Sequence, residues 1–426
     1  MKYLYRSILA AVVLFVTGCG DLAQPDNPKV DGGEVVVDFS PELMKKTLIE
    51  AGAVDENTTV FGYTAYQIPY TTTDEDGMEV AVSGLMVVPS GLPDVVTQQI
   101  GLSLVSDDHG TIFANDEAPG VIGEKTSAPD GSAIILTALA GFVTLQPDYI
   151  GFGDSSEHYH PYLLKKSLAN ATVDFIRAAR EFAAKNSIKL NGQLFLTGYS
   201  EGGYAALATL EKIEKENLLT EMPVTIAAPM AGPYAMSGMA IEVLKTTQIG
   251  VPSFMADVGY AYALAGNKEV DTVINAPYAS QLENLLGGDY NRTQIDQALT
   301  HATTGDDGLF RQDFVNQFLH GAATGQPDWF LGALLQNDVY RWKATTPIRL
   351  VQCMGDDVVP FTMSQITEGN MTEAGTANIA IVPVEPIMQQ ADPSFSSSLG
   401  HAECGKYAYG VTAKIFGAAR AAVFHY

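Results

Sequence analysis

Leu194-Phe-Leu-Thr197, then Gly198-Tyr199-Ser200-Glu201-Gly202-Gly203, then Tyr204-Ala-Ala-Leu-Ala-Thr-Leu-Glu-Lys-Ile-Glu-Lys215 is the stretch on which the reading of this chain turns. The apolar run, begun at Gln193, predicts a buried strand, and the residues after the glycines predict a helix, so Ser200 falls on the sharp turn between them. Small residues at 198, 202 and 203 let the backbones approach closely there. A Gly-x-Ser-x-Gly string alone is weak evidence; framed by strand and helix it predicts a nucleophile elbow.

Outward from the elbow, strands alternate with helices. Ile100 to Val105, Gly141 to Gln146 and Val224 to Pro229 predict further strands, with helices near Ser132 to Leu139 and Leu164 to Lys185. That rhythm predicts an α/β fold with a mostly parallel central sheet covered by helices on both faces. Before it, Ser40-Pro41 opens a short helix to about Glu50, and β-rich segments follow at Thr58 to Tyr70 and Met78 to Val88. Residues 231–345 break the rhythm with several helical patterns and no convincing strand, and read as an inserted helical cap. Alternation resumes at Ile348 to Met354, a helix near Thr362 to Glu368, a strand at Asn378 to Val384 and a last helix from about Ala408 to Phe424.

A serine hydroxyl needs a base, and the base an orienting acid. At an elbow of this kind the chain order is Ser, then Asp or Glu, then His, each after its own strand. Met354-Gly-Asp356-Asp357-Val-Val-Pro360 follows the strand from Ile348, which makes Asp356 the acid with adjacent Asp357 as its competitor. Of the seven histidines only His401 and His425 follow that loop, and His425 is the penultimate residue. His401, between a strand and the last helix, is therefore the predicted base. The oxyanion calls for preset amide donors: that of Glu201, and a second from His109-Gly110-Thr111, either Thr111 or Gly110. If Asp356 and His401 share one site, Cys353 and Cys404 lie on neighbouring loops, and a disulfide between them is predicted.

Other strings carry less. Gly400 to Lys406 has phosphate-loop spacing, but Tyr407 stands where a hydroxyl must meet magnesium. Gly151-Phe-Gly153 lacks the third glycine of a dinucleotide fingerprint, and His158-Tyr-His160 has no companion ligands to make a metal site. No metal and no cofactor is expected.

Gly141-Phe-Val-Thr-Leu-Gln-Pro-Asp148-Tyr149-Ile-Gly151-Phe-Gly153, His160-Pro161-Tyr162-Leu163, the Ser200 elbow and Asp356-x-x-Val359-Pro360 occur in an order that resembles the secretory-lipase group of α/β hydrolases, from about Tyr63 to the C-terminus. The resemblance implies an α/β-hydrolase fold and ester hydrolysis by Ser200, Asp356 and His401 beneath a helical cap. Two positions depart from it: Cys353 precedes the acid loop where relatives often have His-Gly or Gly, and Glu201 stands where a neutral residue is expected. A carboxylate beside a developing oxyanion is unfavourable unless paired or turned away.

Of the 426 residues 46% are hydrophobic and 17% charged, a globular balance. The net charge of −25 excludes nucleic acid as a natural partner, since such a surface repels phosphates. Residues 1–18 read as a signal peptide, with Lys2 and Arg6 ahead of the apolar run Ile8 to Val16, which is too short to span a bilayer. Val16-Thr-Gly-Cys19 then resembles the bacterial lipobox, so Cys19 is the expected site of lipidation. Loss of the leader takes the charge to −27. Residues 19–35 read as lipidated N-terminus and flexible tether, and 36–426 as the hydrolase domain. The sequence thus predicts an exported bacterial lipoprotein, membrane-anchored at the periplasmic or outer face, whose substrate is an ester, lipids included. The alternatives are a serine peptidase of the same fold and a non-catalytic binding lipoprotein.

Overall fold

The computed structural model of the protein describes residues 29–30, 32–121 and 131–424. The leader, Cys19 and His425 lie outside the described residues. Ten strands form one sheet: β1 (Lys29–Val30), β2 (Gly33–Phe39), β3 (Gly62–Thr73), β4 (Glu79–Ser90), β5 (Leu102–Asp108), β6 (Val143–Pro147), β7 (Leu190–Tyr199), β8 (Val224–Met230), β9 (Ile348–Gln352) and β10 (Ile379–Pro383). Their spatial order is β1-β2-β3-β4-β6-β5-β7-β8-β9-β10. From β6 to β10 all pairings are parallel, and β1 to β4 add an antiparallel flank.

Both faces are covered because side chains alternate along each strand. On β7, Leu194 and Leu196 belong to one apolar cluster while Phe195 belongs to another across the sheet; on β5, Leu104 and Val105 divide the same way. The first cluster packs under α2 (Lys165–Lys185) and α3 (Glu201–Lys215), the second under the helical segment at 131–139 and the last helix. Pairing begins at Lys29, inside the stretch read as a tether. Glu34 and Val35 pair with β3 and Val35 is buried, so the sheet takes in residues before 36.

Near the N-terminus α1 (Pro41–Glu50) starts where Ser40 accepts the Leu43 amide at 3.2 Å. Between β8 and β9 the chain makes its long excursion through α4 (Met236–Leu244), α5 (Pro252–Ala265), α6 (Ala276–Leu285), α7 (Arg292–Ala298), α8 (Gln312–Thr324) and α9 (Trp329–Asn337). Among the described residues the β-pairing of this region is limited to isolated bridges, Gln248 to Ala302 and Ile274 to Phe310. After it come α10 (Thr362–Glu373), α11 (Val384–Ala391) and α12 (His401–Ala421). The last helix starts at His401, seven residues before the sequence-based start. Its His401 amide donates to Asp357 Oδ1 at 2.8 Å, a cap supplied from 44 residues away that no local pattern contains.

Candidate active site

Ser200 sits between β7 and α3 at φ 60°, ψ −120°, a conformation that side chains other than glycine rarely adopt. The sheet fixes it there, since the Ser200 amide donates to the Met230 carbonyl at 2.9 Å at the end of β8. The glycines around it have no room for a side chain: a Cβ on Gly198 or Gly202 would overlap the Asp108 carbonyl.

His401 Nε2 lies 2.9 Å from Ser200 Oγ, and His401 Nδ1 lies 2.8 Å and 2.9 Å from the two carboxylate oxygens of Asp356. Carboxylate oxygens only accept, so Nδ1 carries the proton and Nε2 faces the hydroxyl as an acceptor. Asp356 is itself held, its Oδ1 accepting the Val358 and Val359 amides at 3.1 Å and 2.9 Å. Asp357 does not face the imidazole; it caps the His401 backbone instead. Tyr199 donates its hydroxyl to the His401 carbonyl at 2.7 Å. Cys353 and Cys404 form a disulfide with their Cα atoms 5.9 Å apart. One further support escaped the sequence reading: buried Glu385 accepts the Met354 and Gly355 amides at 2.8 Å and 3.1 Å, bracing the acid loop from α11.

Gly110 passes close over Ser200, for a Cβ placed on it would lie 3.6 Å from Ser200 Cβ. Thr111 is tied through its hydroxyl to that of Tyr162 at 3.0 Å. The amides of Gly110, Thr111 and Glu201 find no protein acceptor among the described residues. That of Glu201 opens α3, where the helix dipole favours negative charge.

The Glu201 side chain turns into the protein, with 1% of its surface exposed, and its Oε1 lies 2.7 Å from His160 Nε2. The other ring nitrogen of His160 lies 2.9 Å from the Ile150 carbonyl. Burial pulls His160 down in pKa, but the charge and hydrogen bond of Glu201, with Asp257 and the Ile150 carbonyl, outweigh it and leave the imidazole above its usual value. Asp257, on α5, is pushed up to about 8 by burial, His160 pulling the other way and Glu201 adding to the rise. His109 goes down through burial, and Asp108 goes up for the same reason. His158 is exposed beside Glu157, 3.7 Å away, so His158 and His160 do not share a ligand site.

A narrow cavity of about 50 Å³ reaches Ser200, walled by Met236, Met239, Val243, Phe254, Met255, Val258 and Val358. Of the cap's aromatic residues, Phe254 lines this cavity. Phe330 instead packs against Phe314, Phe318 and Tyr262 and is core.

Residues 130–216 match the prolyl oligopeptidase family. No curated protein sequence matches the chain. Among solved structures, a candidate hydrolase from Legionella pneumophila is similar at 24% identity and TM-score 0.75, over 92% of this chain and 98% of that one. The rice cell wall degrading esterase LipA from Xanthomonas oryzae is similar at 22% identity and TM-score 0.72, over 92% and 97%. Candida antarctica lipase A is more distant, at 16% identity and TM-score 0.55, over 79% of each chain. At such identities the likeness is one of fold.

Proposed function

We propose that this chain, which has the α/β-hydrolase fold, is a carboxylic-ester hydrolase working through an acyl-enzyme. The observation that carries the reading is the hydrogen-bonded series from Ser200 through His401 to Asp356. His401 Nε2 takes the Ser200 proton as Oγ attacks the acyl carbon, and Asp356 holds the imidazolium that forms. The amides of Glu201 and of Gly110 or Thr111 donate to the oxyanion. His401 then returns its proton to the departing alcohol, and water, activated by the same nitrogen, releases the acid. No metal or cofactor has a part in these steps.

The apolar walls around Ser200 favour an ester with a hydrocarbon acyl group. The likeness of 130–216 to a peptidase family supports a second reading, a serine peptidase. Turnover of a nitrophenyl ester but not of an aminoacyl nitroanilide, lost in Ser200→Ala, is the expected result. The reverse preference would establish the peptidase, and an intact chain whose Ser200 resists a fluorophosphonate would favour a binding lipoprotein. We propose further that the protein is exported from a bacterium and anchored through lipid on Cys19.

A further inference from the structure

We propose that His160 is a positioning residue that holds the Glu201 carboxylate away from the oxyanion and cancels its charge, leaving the Glu201 amide free to donate. The proposal deepens the hydrolase reading above and rests on it. Glu201 follows the nucleophile directly, so its backbone and side chain make opposite demands. The amide stabilises negative charge at the acyl oxygen, whereas a free carboxylate there would repel it.

The geometry resolves the conflict. A carbonyl only accepts, so the contact with Ile150 requires a proton on His160 Nδ1, and the 2.7 Å contact between Nε2 and Glu201 Oε1 contains one proton more. Whichever atom that proton sits on, the pair is neutral as a whole. The site is built for it: Gly151, at φ +97°, has no room for a Cβ beside the His160 backbone, and the imidazole stacks on the Tyr149 ring. Among the described residues, the titratable groups that face the ring are Glu201 from α3, Asp257 from α5, His109 from the loop after β5, and the tyrosines Tyr149 and Tyr162. Glu201 and Tyr162 both line the cavity that reaches Ser200, and Glu201 is the only carboxylate among its lining residues.

The test is steady-state kinetics on a nitrophenyl ester with the full mature chain. His160→Phe is expected to lower kcat by roughly 10- to 100-fold while KM changes less than about threefold, because the lost interaction acts on the transition state. Adding Glu201→Gln to His160→Phe removes the uncancelled charge and is expected to recover at least about a tenfold share of the lost kcat. A double variant no faster than His160→Phe, or a loss lying in KM, overturns the proposal. If His160→Phe does not fold, the imidazole titration followed by NMR in the wild type and in Glu201→Gln decides. His160 should hold its proton to higher pH in the wild type, and equal titration in both refutes the proton-sharing pair. A wild type that neither turns over ester nor labels at Ser200 overturns the hydrolase reading and this one together, whereas the other outcomes bear on His160 alone.

Discussion

Asp356→Asn replaces one atom, and the structure says which. Asp356 Oδ1 accepts two backbone amides, from Val358 and Val359, so in the variant the side-chain carbonyl must stay on that side. The new NH2 then takes the place of Oδ2, 2.8 Å from His401 Nδ1, while the carbonyl at Oδ1, 2.9 Å from Nδ1, is already engaged by the two amides. A donor facing that nitrogen strips it of its proton and moves the proton to Nε2, where it points at Ser200. An imidazole in that tautomer cannot accept the serine proton. Loss of the correct tautomer is expected to lower kcat by about 10⁴-fold, or about 5 kcal/mol of barrier.

Asp357→Asn is the internal control. Its side chain meets the His401 amide, not the ring, and the asparagine carbonyl can still accept that hydrogen bond. What disappears is a negative charge at the start of α12, worth about 0.3–1 kcal/mol, or about fivefold in rate at most. The measurement is kcat for both variants on one nitrophenyl ester, with thermal melts to show that both fold. A larger loss in Asp357→Asn, or an Asp356→Asn enzyme within about tenfold of wild type, would refute the assignment of the acid.

Three further predictions separate other parts of the argument. Phe254→Ala or Met255→Ala should change acyl-chain preference, whereas Phe330→Ala should leave it unchanged and cost about 3–5 kcal/mol of stability, as an ester panel and denaturant melts would show. Protein beginning at Gly20 should show no alkylatable thiol under denaturing conditions without reduction; replacing Cys353 and Cys404 by Ala should cost up to about 4 kcal/mol, the chain-entropy value for a separation of 51. Cys19→Ser should move the protein from the membrane fraction to the soluble one with activity intact, and continued sedimentation with membranes would count against the lipid anchor.

The elbow was legible in sequence because its constraints are local. A strained serine needs glycines before and after it, and a strand and a helix must flank it. The choice between Asp356 and Asp357 was not legible, since adjacent residues on one loop point apart and only the folded position of α12 decides which meets the ring. The same contact hid the start of that helix. Residues 401–407 look weakly helical, with Gly405 among them, and the Asp357 cap comes from a distant loop. The His160–Glu201 pair spans 41 residues; the sequence shows an acid beside Ser200 that needs a partner and, separately, His160 in its own string, with no local pattern joining the two. In α11 the apolar run from Ile379 disguised a change from strand to helix at Val384, so the brace from Glu385 went unseen.

His401 is therefore positioned by more than its partner acid. Its ring meets Asp356, its amide meets Asp357, its carbonyl accepts from Tyr199, and its helix is joined to the acid loop by the Cys353–Cys404 bond. Three of these four connections act on backbone and only one on the ring. Removing a backbone connection loosens a residue that the others still hold, while changing the ring contact leaves the position intact and alters where the proton resides. Which nitrogen carries the proton thus depends on Asp356, and placement is shared among several groups. For that reason the two aspartate variants should differ by orders of magnitude in turnover although their contacts with His401 are equally short.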